Sequence, residues 1–124
     1  MMRTSVPGPV IRRGEVWWVS FRGAVGGEIQ KTRPAIIVSN DRSNEILNRV
    51  QIVALTTKTN RVSPGETLVQ LAGRAQKAMA NQLHTVDKSR CLSREGAIAE
   101  QDMVRVENAI IFQLGLPRAE RRQP

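Results

Sequence analysis

Between residues 31 and 41 a cationic turn, Lys31-Thr32-Arg33, runs straight into Pro34 and the apolar residues Ala35-Ile36-Ile37-Val38, and the run stops at Ser39-Asn40-Asp41. The β-branched residues at its centre predict a strand buried on both faces, which requires a sheet with cover above and below it. Pro34 has no N–H to give to a ladder, so it fits only the start of such a strand. Arg33 is then held at the lip of a rigid element, with glycines just upstream. A guanidinium fixed there can grip phosphate through paired donors. On spacing alone the plainer reading is a surface arginine beside a core strand, and the rest of the chain has to decide between the two.

Residues 15 to 22 read as a first strand, with Trp17, Val19 and Phe21 on one face and Val16 and Trp18 on the other. The tryptophans can stack on bases, but a small domain needs their surface for its core. Residues 23 to 32 form a glycine-rich connection too long for a tight hairpin, which reads as a lid or a mobile loop. Residues 34 to 39 form the second strand, and about 50 to 57 the third, where Val50, Ile52 and Ala54 alternate with Val53 and Leu55. A short helical turn at Ser43 to Leu47 fits between them. If strands two and three are an antiparallel pair folded about residues 44 and 45, Arg33 faces Thr56. Opposed side chains lie about 5 Å apart at Cβ, so this register brings a cation and a hydroxyl together at one end of a sheet.

Further on, Ser63-Pro64-Gly65 is a turn and residues 66 to 71 a fourth strand, with Leu68 set against Val69 and Leu71. Gly73-Arg74 breaks the chain. Residues 78 to 86 include a short strand placing Gln82 and His84 on one face, and Ala97 to Ala99 a last one. Glu100 to Leu114 is a helix with an apolar stripe of Met103, Val106, Ile110 and Leu114; Phe112 points away from it, as a residue of a subunit interface would. Acidic Glu100 and Asp102 suit its start, and Gly115 with Pro117 its stop, although Ala99 is a poor N-cap. Several short strands and one terminal helix suggest a small, strongly bent antiparallel barrel.

The 124 residues form one domain, read as residues 12–116 between loose tails at 1–11 and 117–124. Nineteen Lys and Arg against 11 acids give a net charge of +8, which favours a polyanionic partner, nucleic acid before anionic membrane. One cysteine and one histidine make neither an internal disulfide nor a clustered zinc site, and the lone cysteine suits a reducing cytoplasm. No apolar run is long enough to span a bilayer.

Five segments occur in order: Gly14-Glu15-Val16-Trp17-Trp18-Val19, Val25-Gly26-Gly27-Glu28, Lys31-Thr32-Arg33-Pro34, Val53-Ala54-Leu55-Thr56-Thr57 and Asn81-Gln82-Leu83-His84-Thr85-Val86-Asp87. Together they resemble the MazF/PemK family of toxin endoribonucleases, over about residues 13 to 116. The resemblance implies a mainly β fold with a C-terminal α-helix, a small SH3-like, strongly bent antiparallel β-barrel of the MazF/CcdB type. It implies a type II toxin that cuts single-stranded RNA without metal or cofactor, through 2′-OH attack to a 2′,3′-cyclic phosphate. A homodimer and an acidic MazE-like antitoxin are its implied partners, and the cytoplasm its location. Catalytic roles fall on Arg33 and Thr56, and RNA-binding roles on Glu28, Lys31, Thr57, Asn81, Gln82 and His84.

The chemistry fits those residue types. Metal-free cleavage needs the 2′-OH aimed at the next phosphorus, stabilisation of charge on the phosphorane, and proton transfers. Arg33 can supply the second, and the Thr56 hydroxyl can bond a phosphate oxygen or position the 2′-OH. Guanidinium gives up a proton reluctantly, so charge stabilisation is the safer role for Arg33. His84 stands where many relatives have Arg or Lys, and Asn81 where an acid is frequent; imidazole adds a group suited to proton transfer near neutral pH. Two other readings stay open. A CcdB-like gyrase poison shares the fold, but such proteins act through a C-terminal tryptophan, whereas this chain ends Arg121-Arg122-Gln123-Pro124. A non-catalytic SH3-like RNA-binding module is the third.

Overall fold

The strand that carries Arg33 has a partner buried as deeply as itself, and that partner is the centre of the molecule. The computed structural model describes residues 8–21, 26 and 31–117. Their elements run β1 (Glu15–Ser20), β2 (Thr32–Ile37), α1 (Asp41–Ile46), β3 (Arg49–Thr56), β4 (Thr67–Leu71), β5 (Arg74–Ala78), β6 (His84–Asp87), β7 (Cys91–Ala97) and α2 (Glu100–Leu114). The strands form a curled antiparallel half-barrel in the order β4-β5-β3-β2-β1-β7, with β6 also on β3. Along one edge β3 pairs with β2; along the other it pairs with β6 through residues 49–52 and with β5 through Leu55 and Thr56. Register with β2 runs Ala35 to Ala54, Ile36 to Val53 and Ile37 to Ile52, the pairing expected from the sequence. Continued two residues, it sets Arg33 opposite Thr56.

Alternation along β3 feeds two cores. Val50, Ile52 and Ala54 join Trp17, Val19, Phe21, Ala35, Ile37, Val86 and Cys91 on one side. Val53 and Leu55 join Val16, Ile36, Val69, Leu71, Ala78, Met103 and Val106 on the other, where α2 supplies the cover. Both faces of the sheet's middle are therefore closed, as the apolar run demanded. Curvature enters at β1, whose register with β7 shifts between Val16 and Trp17 and again between Trp18 and Val19, since irregular pairing bends and twists a strand. Glu15 pins the same pair: its carboxylate accepts from Trp17 Nε1 (3.0 Å), the Arg12 N–H (2.9 Å) and Arg94 Nε (2.9 Å). Burial works to raise its pKa, but these hydrogen bonds and the Arg94 charge outweigh that and hold it below the ordinary value.

Helix α2 has the predicted bounds. Ala99 caps it with no side chain, and Gly115 ends it at φ 69°. Its buried stripe is Asp102, Met103, Val106 and Ala109; Leu114 is exposed, unlike the expectation, because it lies beyond the sheet the helix covers. Asp102 earns its burial by accepting the Gln70 N–H at 2.9 Å, which ties the helix start to β4. Phe112 is 56% exposed, as anticipated. Arg13 bridges α2 to the end of β2, donating to Glu107 and to the Val38 carbonyl.

Four readings need correction. Gly73-Arg74, taken as a break, leads into β5: Ala72 (φ 53°) and Gly73 (φ 78°) make a two-residue hairpin turn of the hand that suits strand twist, so Arg74 opens a strand. Gln82 and His84 do not share a strand face, because Ala80–Gln82 is a 3₁₀ turn and β6 begins at His84. The last strand is β7, ending at Ala97 rather than starting there; as an edge strand it exposes Leu92, Ser93, Arg94 and Glu95 and shows no alternation to read. Trp18 is half-buried and not a core residue, whereas Trp17 is buried. Of the tails read at 1–11 and 117–124, residues 1–7 and 118–124 lie outside the described residues, as does most of the glycine-rich connection, while Ile11 is buried in the core.

Candidate functional site

Where β2, β3 and β5 end together, a cleft of about 480 Å³ opens, lined by Trp18, Lys31 to Pro34, Leu55 to Thr57, Leu71, Arg74, Gln76 and Glu95. Each element brings a residue for a local reason. Thr32 and Arg33 pair with Ser20 and Val19 of β1, while pairing with β3 runs from Ala35 onward, after Pro34, so Arg33 is held in the sheet by one neighbour and borders the cleft on the other side. Lys31 turns the chain into the strand with φ 68°, a left-handed conformation uncommon for a side-chain-bearing residue, and its carbonyl accepts the Phe21 N–H at 2.8 Å. Backbone strain of this kind concentrates at functional sites. Leu55 and Leu71, both buried, belong to the second core and give the cleft an apolar floor.

The polar groups in this cleft are underused. Two buried side-chain N or O atoms among the described residues have no hydrogen-bond partner, and they are Arg33 Nε and Gln76 Oε1. Both line the same cleft. Buried polar groups are nearly always paired, because leaving one unpaired costs about 1–3 kcal/mol. Two such atoms in one concavity mark it as built for something other than stability. Thr56 Oγ1 accepts the Lys58 N–H at 3.2 Å, which leaves its own hydrogen free to donate. Lys31, Arg33 and Arg74 against the single carboxylate of Glu95 make the cleft cationic. Glu95 accepts from Trp18 Nε1 at 2.6 Å, holding the indole at the wall.

Of the residues singled out in the sequence, Arg33, Thr56, Lys31 and Thr57 meet in this cleft, while Asn81, Gln82 and His84 do not line it. Asn81 is exposed and its N–H reaches the Gly65 carbonyl. His84 is half-buried; its Nδ1–H donates to the Gln82 carbonyl at 2.6 Å, and its ring meets Phe21 edge-on at 5.6 Å between centroids and 74° between planes. That bond leaves Nε2 as the nitrogen with a lone pair in the neutral ring. Phe21 and Lys31 are the residues where the described chain enters and leaves the glycine-rich connection, so one end of that connection touches His84 and the other the cleft. Glu28 lies outside the described residues.

Sequence reasoning missed Trp18, Arg74, Gln76 and Glu95. A signal existed for Gln76 only in hindsight of β5: on that strand Arg74, Gln76 and Ala78 share a face, and Ala78 is fully buried, so an amide stands in an apolar row. The lone cysteine, Cys91, is buried. Burial and the Asp87 charge push the Cys91 thiol up to about 11, which keeps it protonated and inert. Among the described residues no group of three or more His, Cys, Asp or Glu side chains is placed to hold a metal ion.

Comparison with known proteins places this arrangement. The family described as PemK-like, MazF-like toxin of type II toxin-antitoxin system matches residues 12–114. A curated relative, endoribonuclease MazF9 of Mycobacterium tuberculosis, is 29% identical over 116 residues, covering 86% of this chain and 98% of that protein. Among solved structures, MazF of Deinococcus radiodurans aligns with a TM-score of 0.78 at 21% identity, over 88% of this chain and all of that one. A mycobacterial endoribonuclease in complex with its cognate antitoxin aligns with a TM-score of 0.73 at 25% identity, over 87% of this chain and 98% of that one.

Proposed function

The chain belongs to the PemK-like, MazF-like toxin family of type II toxin–antitoxin systems, and from that premise we infer that it is an endoribonuclease toxin whose cutting site is the cleft at the mouth of β2 and β3. Its relatives are named as endoribonucleases, and a structural neighbour is held by a cognate antitoxin. The gyrase-poison and plain RNA-binding alternatives are not favoured. The observation that carries the reading to particular residues is that Arg33 Nε, buried and unpaired, shares one cationic cleft with the Thr56 hydroxyl.

In the proposed reaction a single-stranded RNA lies along the cleft with its scissile phosphate at Arg33. Attack by the 2′-OH on phosphorus builds negative charge on the non-bridging oxygens. Arg33, with a donor already desolvated and unpaired, meets that charge without reorganisation. The Thr56 hydrogen binds a phosphate oxygen or orients the 2′-OH. Bond formation to O2′ expels the 5′-oxygen, leaving a 2′,3′-cyclic phosphate and a 5′-hydroxyl. Lys31, Thr57 and the Asn81–His84 turn hold the flanking nucleotides, and Glu28 joins them from the connection. The 2′-OH proton passes through solvent to the departing 5′-oxygen, while His84, opposite Ile52 on β3 and outside the cleft, serves the flanking RNA. The antitoxin partner is an acidic, largely disordered segment drawn by the +8 charge and ordered on binding. No helix of the described residues is long and apolar enough to cross a membrane, and a cytoplasmic site of action follows from an mRNA substrate.

Incubating the purified chain with a long RNA and mapping both ends of each fragment tests the whole reading. Cleavage at defined sites, cyclic-phosphate ends and persistence in excess chelator are the expected result. Intact RNA, or activity that chelator removes and magnesium restores, would overturn it.

A further inference from the structure

The second unpaired atom in the cleft has no part in the chemistry described above. Gln76 stands on β5 opposite Val69, in the row that continues to the fully buried Ala78. A leucine or valine would suit this row. Instead the position holds an amide that makes no hydrogen bond to any described residue, with Oε1 buried. An exchange of the amide oxygen and nitrogen would leave the same problem, a buried polar atom with nothing to bond. Such a residue costs stability where it stands, and a leucine of similar volume would not.

Its surroundings say what it awaits. The cleft around it has an apolar floor at Leu55 and Leu71, a half-buried indole at Trp18 fixed by Glu95, and cations at Arg33 and Arg74. A flat aromatic wall beside an unspent amide and a guanidinium is the combination that holds an unstacked nucleobase: the ring takes the π-face, the amide takes the base edge, and the cation takes the adjoining phosphate. Phosphate alone needs no amide. A primary amide offers an acceptor beside a donor. The matching partner presents an N–H beside an acceptor, as every standard base does on its Watson–Crick edge, so the amide is suited to read the edge of a base.

Resting on the RNA-cleaving reading of the same cleft, we propose that Gln76 and Trp18 form a base-recognition subsite adjoining the phosphate held by Arg33. Gln76 reads the base edge and Trp18 supplies the stacking surface. The subsite makes the cut dependent on one flanking base, and Gln76 is the residue that sets which.

The test compares the full-length chain with Gln76→Leu on short RNAs that carry each of the four bases in turn at one flanking position at a time. The parent should prefer one base at one position and lose about 5- to 150-fold in kcat/KM when that base is exchanged, the range for one good bidentate base contact. Gln76→Leu should level that preference and melt at a higher temperature. A folded Gln76→Leu that keeps the parental base preference overturns the proposal, and so does a variant that melts lower, which would make the amide a structural group. Failure of the parent to cut any RNA would instead overturn the endoribonuclease reading, so the two ideas fail separately.

Discussion

Arg33 is half-buried at the rim of the core yet spends none of its buried Nε on the protein, so its removal and the loss of the fold are separable. Arg33→Ala is expected to keep the melting temperature, to weaken RNA binding modestly, and to cut about 10² to 10³ times more slowly in single turnover, as for other donors to developing charge. Thr56→Val removes a neutral hydroxyl at nearly constant volume and should slow cutting less. A folded Arg33→Ala that cuts at the parental rate would place the site elsewhere. Both residues were legible in the sequence because each borders a run of apolar residues whose register is fixed by burial: Ile36, Ile37, Val53 and Leu55 leave no freedom for a slip, so Arg33 and Thr56 are carried to their places. Gln76 and Trp18 were not legible. Trp18 alternates with two buried residues and reads as a third, and the environment that leaves it half-exposed is set by Glu95, far off in sequence.

At the level of elements, the strands flanked by apolar alternation and the one amphipathic helix were readable, and the polar ones were not. β5 (Arg74–Ala78) and β7 (Cys91–Ala97) are held by ladder hydrogen bonds to β4 and β1, a property of the backbone that no side-chain pattern announces. The hairpin joining β4 to β5 illustrates the point. Its turn places Ala72 at φ 53°, where a Cβ is strained, and the adjoining Gly73 takes the other left-handed position at no cost. Ala72→Gly is expected to relieve that strain and stabilise the fold by up to about 1 kcal/mol, less the entropy that glycine adds to the unfolded chain. Denaturant unfolding of the two proteins under one buffer measures it. A clear loss of stability would show that the turn is not strained.

For the molecule as a whole, an exposed Phe112 on the covering helix, with Val104 and Leu116 also outside, leaves apolar surface that a monomer gains nothing by showing. Sedimentation at micromolar concentration is expected to give twice the 13.8 kDa chain mass, in line with a homodimer. A 13.8 kDa species alone would contradict it. The cleft, by contrast, is assembled from distant parts of the chain: Trp18 near the start, Arg33 and Thr56 in the middle, Glu95 on the strand that pairs with the first. That topology has a temporal meaning. During synthesis β1 emerges long before β7, and the wall that holds the Trp18 indole cannot form until Glu95 has left the ribosome. The cleft is therefore among the last features of the molecule to be finished as the chain is made.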